Sequence, residues 1–441
     1  MRAVFALAAF ALWLALVGFF YPGLMNVDSG ELLSQAVAGA YVDWHSPLLS
    51  LIWAQLDRLA AGPASLLAAG SALYVLGAAW TAANLARGLP MRLFCLLVLC
   101  GWPPLLNDLG LVGRDSAFIA CFMLYIGLLT SGRANWPAIL ALLLAGMAFR
   151  PDSAIAMVPG LGLLWGFRVR TAIIGIAAFL LCYAVMDAVN HRLLQARRTF
   201  PIQTTLIHDL GGISYAAGED LMPTYADYGF DMEQIRQRYT PRFGDPLMFD
   251  GGQPNVPISF EADHHKALQM AWLTAVRQHP IAYLKHRLAT FRALLDLDRP
   301  EDYQLYQPNT DPHLSGQFPV LSGMNLSNPD HPAIRFYRER LMPWLIGGPM
   351  FRGYFYDAVI ALELLLALYR RRQAELALGT GALLHQGVLF LASPAALFRY
   401  FYPSVLVAIA MTLLSFSPYG SGRSAASGFA SRPRPGSADR R

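Results

Sequence analysis

The feature that most constrains this chain is a recurrence of long apolar runs, each closed by a short turn that carries arginine. A transmembrane helix needs about 20 consecutive apolar residues. Ten stretches come near that length: 3–20, 63–85, 92–107, 116–131, 136–149, 154–167, 171–189, 353–369, 375–392 and 400–415. Composition agrees, because 55% of the 441 residues are hydrophobic and 14% are charged, whereas a soluble chain carries roughly a quarter charged residues. The sequence predicts an all-α polytopic membrane protein with about ten transmembrane helices.

Arginine placement orients these spans. Of 34 basic residues only Lys266 and Lys285 are lysines, and no basic patch with interleaved aromatics stands outside the turns, so nucleic acid is not an expected partner. With ten spans both termini share one side. That side collects Arg2, Arg87, Arg92, Arg133, Arg168, Arg170, Arg370 to Arg372 and the five tail arginines against Asp439 and, at a span border, Glu375. The short loops opposite hold Asp28, Glu31, Asp43, Asp57, Asp108, Asp115 and Asp152 against Arg58, Arg114, Arg150 and Arg399. Positive charge stays inside, so both termini are expected to be cytoplasmic. Counting 47–60 as a span would invert every later loop. It is short and holds Asp57-Arg58, which suits an interfacial helix in the first external loop.

The expected organisation is an N-terminal transmembrane catalytic module over 1–189, whose first external loop is 21–62. A mainly helical external (periplasmic) segment follows over 190–352, then C-terminal transmembrane helices over 353–415 and a disordered cytoplasmic tail over 416–441. Within the external segment, 241–257 and 307–332 read as Pro/Gly/Asn-rich loops, and 259–279 and 281–297 as two helices broken at Pro280. Residues 1–20 read as an uncleaved first span, since Tyr21-Pro22-Gly23 lacks a small-x-small cleavage site.

Chemistry concentrates in the first external loop. Asp28 and Glu31 emerge three residues apart beside the membrane, where carboxylates are costly unless they work or are paired. They fit two readings. One is a helix-capping pair. The other is a general base at the water edge of a membrane cavity, with Asp28 free of a close cation. Asp43-Trp44-His45-Ser46-Pro47 follows. Pro47 suits a first helical turn and Trp44 an interface, while His45 can cap or can bind a phosphate or hydroxyl. Arg114-Asp115 and Arg150-Pro151-Asp152 face the same side, either as local ion pairs or as parts of a site. Arg399 has no acid near it in sequence; it suits a lipid-linked phosphate or snorkelling to headgroups. In the long segment His264 and His265 are adjacent and diverge on a helix, which disfavours a shared metal. The four cysteines lie in apolar runs as packing residues, and no CxxC, P-loop, GxGxxG, HExxH or GxSxG occurs.

The early Asp28, the Trp44-His45-Ser46-Pro47 element, Gly113-Arg114-Asp115-Ser116, Arg150-Pro151-Asp152, His279-Pro280 with Tyr283 and His286-Arg287, and Arg399-Tyr400-x-Tyr402-Pro403 together resemble the GT-C superfamily. These are membrane glycosyltransferases that use polyprenyl-phosphate sugars, here of the protein O-mannosyltransferase, aminoarabinose transferase and O-antigen glucosyltransferase-like branches. Members often read His-Pro-Pro where this chain has His45-Ser46-Pro47. The resemblance covers 1–190 and, more loosely, 350–415. It implies an inverting hexosyl- or pentosyltransferase in a bacterial inner membrane, moving a sugar from a polyprenyl-phosphate donor to a hydroxyl of a glycan, lipid or protein. Asp28 would be its general base. Arg114, Arg150 and Arg399 would hold the phosphate, and Glu31, Asp43, His45 and Asp115 would complete the substrate site. No cofactor is required by the pattern; some relatives use a divalent cation, and beyond Asp28 and Glu31 no ligand set is seen. A transporter or flippase of lipid-linked glycans and a glycan polymerase or ligase are the competing readings.

Overall fold

A computed structural model describes residues 1–222, 232–250, 253–254, 260–297, 314–322, 324, 326 and 332–417. All but the first two residues of the tail expected over 416–441, and most of the loop expected over 307–332, lie outside these residues. The described residues are 78% helical, and the strands among them are a two-residue pair, Phe249–Asp250 against Gln253–Pro254.

The N-terminal half runs α1 (Arg2–Phe20), α2 (Val27–Ala38), α3 (Pro47–Asp57), α4 (Ala64–Leu85), α5 (Leu89–Gly101), α6 (Pro103–Gly110), α7 (Arg114–Thr130), α8 (Trp136–Phe149), α9 (Pro151–Ala154), a 3-10 segment Ile155–Leu161, α10 (Gly162–Trp165) and α11 (Val169–Ala188). The long segment holds α12 (Gln203–Ala217), α13 (Met232–Arg238), α14 (Asp245–Met248), α15 (Ala262–Gln278), α16 (Pro280–Leu294), α17 (Leu314–Gln317), α18 (Pro332–Phe336) and α19 (Met342–Ile346). The chain closes with α20 (Gly353–Arg370), α21 (Gln373–Ala392) and α22 (Tyr402–Ser415).

Among the described residues, five helical stretches are long and apolar enough to cross a membrane: Arg2–Phe20, Ala64–Leu85, Val169–Leu193, Gln373–Ala392 and Phe398–Ser415. A sixth is reached if α5 and α6 form one span bent by 63°. Pro103 and Pro104 cause that bend, because neither can continue the hydrogen-bond ladder of α5. The molecule is a helical membrane protein, but length and composition do not reach ten spans. α7 has 17 residues and opens on Arg114-Asp115, α8 has 14, and α20 carries Asp357 and Glu363. The stretch expected as a span over 154–167 is not one helix, since Pro159 lies inside the 3-10 segment.

α3 is short, about 16 Å at the helical rise. Its Leu49 and Trp53 are buried, and it is wedged between α2, α4 and α8. α4 and α7 pack backbone to backbone: a Cβ on Gly77 would stand 2.7 Å from the Leu124 amide nitrogen and 2.8 Å from the Met123 carbonyl carbon. Small residues permit this approach where lipid gives no hydrophobic drive between helices.

The long segment divides. Leu206, Ile207, Leu210, Ile213, Ile235, Leu247, Met248, Leu268 and Ala275 form a core of their own, whereas Leu294, Leu314, Tyr337 and Met342 join the core of the bundle. The separate core is tied to the bundle by Asp209. Arg287 lies 2.6 Å and His286 3.0 Å from its two oxygens, Trp272 donates to it at 2.8 Å, and Arg287 also donates to the Ser393 carbonyl at 2.8 Å.

Candidate active site

A short parallel pairing builds the site. The Leu24 amide donates to the Gly110 carbonyl at 2.8 Å and the Val112 amide to the Leu24 carbonyl at 2.9 Å. This brings the start of α2 beside the start of α7. Asn26, not Asp28, caps α2. Its side chain accepts from the Ser29 amide at 2.9 Å, and Ser29 accepts from the Asn26 amide at 3.3 Å while donating to the Val112 carbonyl at 2.5 Å. The Asp28 carboxylate is thereby released from the capping role open to it in the sequence.

Asp28 instead meets two arginines and a histidine from three other stretches. Arg399 donates to it at 2.9 Å, Arg114 lies 3.9 Å away and His45 3.8 Å away. Burial alone would push its carboxyl up; Arg399, His45 and Arg114 outweigh that and hold it well below the usual carboxylate range. His45 also lies 3.2 Å from Glu31, and its Nδ1 is buried with no hydrogen-bond partner among the described residues. The Ser46 hydroxyl accepts from the Leu49 amide at 3.1 Å and donates to the Ala148 carbonyl at 2.6 Å. That residue therefore caps α3 and pins it to the end of α8.

Arg150 follows at that end. It pairs with its sequence neighbour Asp152 at 2.8 Å and with Asp115 at 2.5 Å, and it lies 4.9 Å over the Tyr400 ring. Arg399, in the 3-10 turn Phe398–Phe401 before α22, also reaches Asp115 at 3.7 Å. A small cleft of about 10 Å³, room for about one water, lies beside the cluster, lined by Asn26, Asp28, Ser29, Leu111, Gly113, Arg114, Asp115 and Ser116.

Of the residues expected at a site, Asp28, Glu31, His45, Arg114, Asp115, Arg150 and Arg399 come together. Asp43 does not join them. It accepts from the Thr199 amide at 2.6 Å and hydroxyl at 2.5 Å and lies 3.4 Å from His191, so it fastens the first loop to the start of the long segment. Arg114 and Asp115 do not form the local pair open to them in the sequence; each reaches across the cluster. Around Asp28 the partners are cationic, which does not suit a divalent ion, and among the described residues no group of three or more His, Cys, Asp or Glu could hold a metal.

Further polar residues stand near the cluster. Ser153 lies 3.3 Å from His385 of α21. Asp108 is buried, with no hydrogen-bond partner for either carboxylate oxygen among the described residues. Asp245 lay inside an expected loop. The Gly244 amide donates to the Pro394 carbonyl at 3.1 Å, and the Ala396 amide donates to the Arg242 carbonyl, so this stretch is stitched to the strand leading to Arg399. Asp245 keeps an exposed surface, yet enough protein surrounds it for lost hydration to raise its carboxyl above the usual range. Arg399 pulls it down and Asp28 pushes it up.

No family model, curated protein or solved structure matches the chain.

Proposed function

We propose that the chain is a GT-C-type membrane glycosyltransferase acting at the external face of a bacterial inner membrane, with about ten spans and both termini cytoplasmic. The carrying observation is that Arg399 and Arg114, from opposite ends of the sequence, converge on Asp28. Two guanidiniums at one point suit the phosphate of a polyprenyl-phosphate sugar, because their planar donors match its oxygens and never lose charge.

In this reading the donor phosphate takes Arg399 and Arg114 from Asp28. The freed carboxylate accepts the proton of an acceptor hydroxyl on a glycan, lipid or protein. The hydroxyl oxygen bonds to the anomeric carbon as the bond from that carbon to the phosphate oxygen breaks on the opposite side, inverting configuration. The guanidiniums then stabilise the charge on the departing polyprenyl phosphate. Arg150 keeps Asp115 and Asp152 occupied, which leaves Arg399 a movable partner.

A transporter would carry such charges between broken helices near mid-membrane. Here they gather where helices begin or end, at the starts of α2 and α7, the end of α8 and the turn before α22, which favours an interfacial enzyme. The test compares surface-glycan and glycoprotein masses of cells expressing wild type or Asp28→Asn at matched membrane levels. Loss of a hexose- or pentose-sized increment in the variant is expected. Identical profiles overturn the reading.

A further inference from the structure

α16 is turned inside out for a helix in water. His286, Arg287 and Thr290 are buried, while Ile281, Leu284 and Leu288 are 70%, 56% and 51% exposed. Positions 281, 284, 285, 288 and 292 follow helical spacing, so Lys285 and Arg292, both exposed, share that outward face with the three apolar side chains. The face is apolar and basic, and it carries no acid.

The place of α16 says what covers this face. Arg287 donates to the carbonyl of Ser393, the residue after α21. Phe291 meets Phe390 of α21 edge to face at 5.5 Å. The Tyr354 amide at the start of α20 donates to the Leu295 carbonyl at 3.1 Å, and Arg352 pairs with Asp296. Thus α16 is bolted to the site-side ends of two neighbouring helices, one of them a span. Near that end α21 exposes Leu391, 58% accessible, above Leu384 and Leu383. Both helices therefore expose apolar side chains near the same end of the bundle.

We propose that α16 is seated in the bilayer surface. Ile281, Leu284 and Leu288 lie among the acyl chains of the leaflet on the site side, and Lys285, with Arg292 beside it, lies at the phosphates of anionic lipids. A basic apolar face on a helix bolted to the end of a span fits lipid better than a protein partner, whose interface core would be depleted of lysine. The seat also sets the height of the separate core, since the buried face of α16 carries Arg287 and His286 to Asp209. The proposal stands apart from the glycosyl-transfer reading.

Two measurements test it on the full chain. In membranes, a photoreactive benzophenone amino acid at position 284 should give phospholipid adducts on irradiation, and the same group at 266, on α15, should give none. Equal behaviour at the two positions, or a protein adduct at 284, overturns the proposal. The four native cysteines are buried, so Leu284→Cys offers a reactive thiol for an environment-sensitive fluorophore. In phosphatidylcholine vesicles its emission should shift to the blue relative to the same label at 266. The shift should grow when phosphatidylglycerol is added and shrink again in Lys285→Gln/Arg292→Gln. A water-like emission overturns the seat, and indifference to phosphatidylglycerol overturns the headgroup contact.

Discussion

Arg399 donates a hydrogen bond of 2.9 Å to Asp28 across 371 residues of sequence. The contact joins the turn before the last helix to the first loop. It also makes Asp28 a competitor for any anion that Arg399 would bind. Asp28→Asn should therefore split two properties that usually fall together. Transfer should drop by about 10²- to 10⁴-fold, the range for loss of a general base. Affinity for a short-chain isoprenyl phosphate should rise, because the guanidiniums lose their internal anion. Thermal-shift titration of purified wild type and variant reads the second effect, and weaker binding in Asp28→Asn would show that the carboxylate organises the guanidiniums instead of competing with ligand.

Arg399 serves two carboxylates, Asp28 at 2.9 Å and Asp115 at 3.7 Å. Lysine keeps the charge but not the planar fork, so it cannot serve both while offering donors to a phosphate. Arg399→Lys should lose at least about tenfold in transfer, and Arg399→Gln about a hundredfold or more. Initial rates of sugar release from radiolabelled membrane donor lipids measure this. A lysine variant with wild-type rates would reduce Arg399 to a simple point charge.

The sequence made the apolar runs and the one-sided charge legible, because both are local. Nearly every expected span contains helix for that reason. The stretch 154–167 is not one α-helix, since Pro159 lies in its 3-10 segment, and an average over hydropathy does not register one missing donor. At the site, residue types were readable but pairings were not. Asp43 was expected in the substrate site with Asp28, and only the path of the long segment, which delivers Thr199 to Asp43, takes it away. Capping by Asn26 was readable in principle, as Asn26 and Ser29 stand at the spacing of a capping box. Asp245 was not, because its role depends on a backbone stitch to Ala396.

Two glycines of α4 give an internally controlled test of the α4–α7 contact. A methyl on Gly77 would strike the backbone at Leu124, whereas one on Gly70 meets nothing within 4 Å. Backbone cannot swing aside as a flexible side chain can, so Gly77→Ala should destabilise by about 1–3 kcal/mol, the usual cost of overpacking. Gly70→Ala should be neutral or stabilising by up to about 1 kcal/mol through helix propensity. Thermal inactivation of the two variants in one detergent compares them. Equal stability would mean that α4 and α7 do not approach this closely.

The core of the long segment should loosen in acid. His208 is buried and donates through Nε2 to the Thr240 carbonyl at 2.9 Å. His286 stands edge-on at 4.7 Å, with Asp209, Arg287 and Tyr239 around the pair. Burial first, and then the charge of His286, push the His208 pKa down from 6.5 to about 3, against the pull of Thr240 and Asp209. His208 is therefore neutral in the fold and takes a proton on unfolding whenever the pH is below about 6.5. The sign follows: its contribution is complete above 6.5 and is lost as pH falls toward about 3, by at most about tenfold in the folding equilibrium per pH unit. His286 is lowered too and adds in the same direction. Hydrogen exchange of α12 at pH 7 and pH 5 should show weaker protection at the lower pH. His208→Gln, which can still donate to Thr240 but does not titrate, should be less stable at pH 7 yet flatter across that interval. If protection is unchanged in wild type between the two values, His208 is not held neutral by the fold.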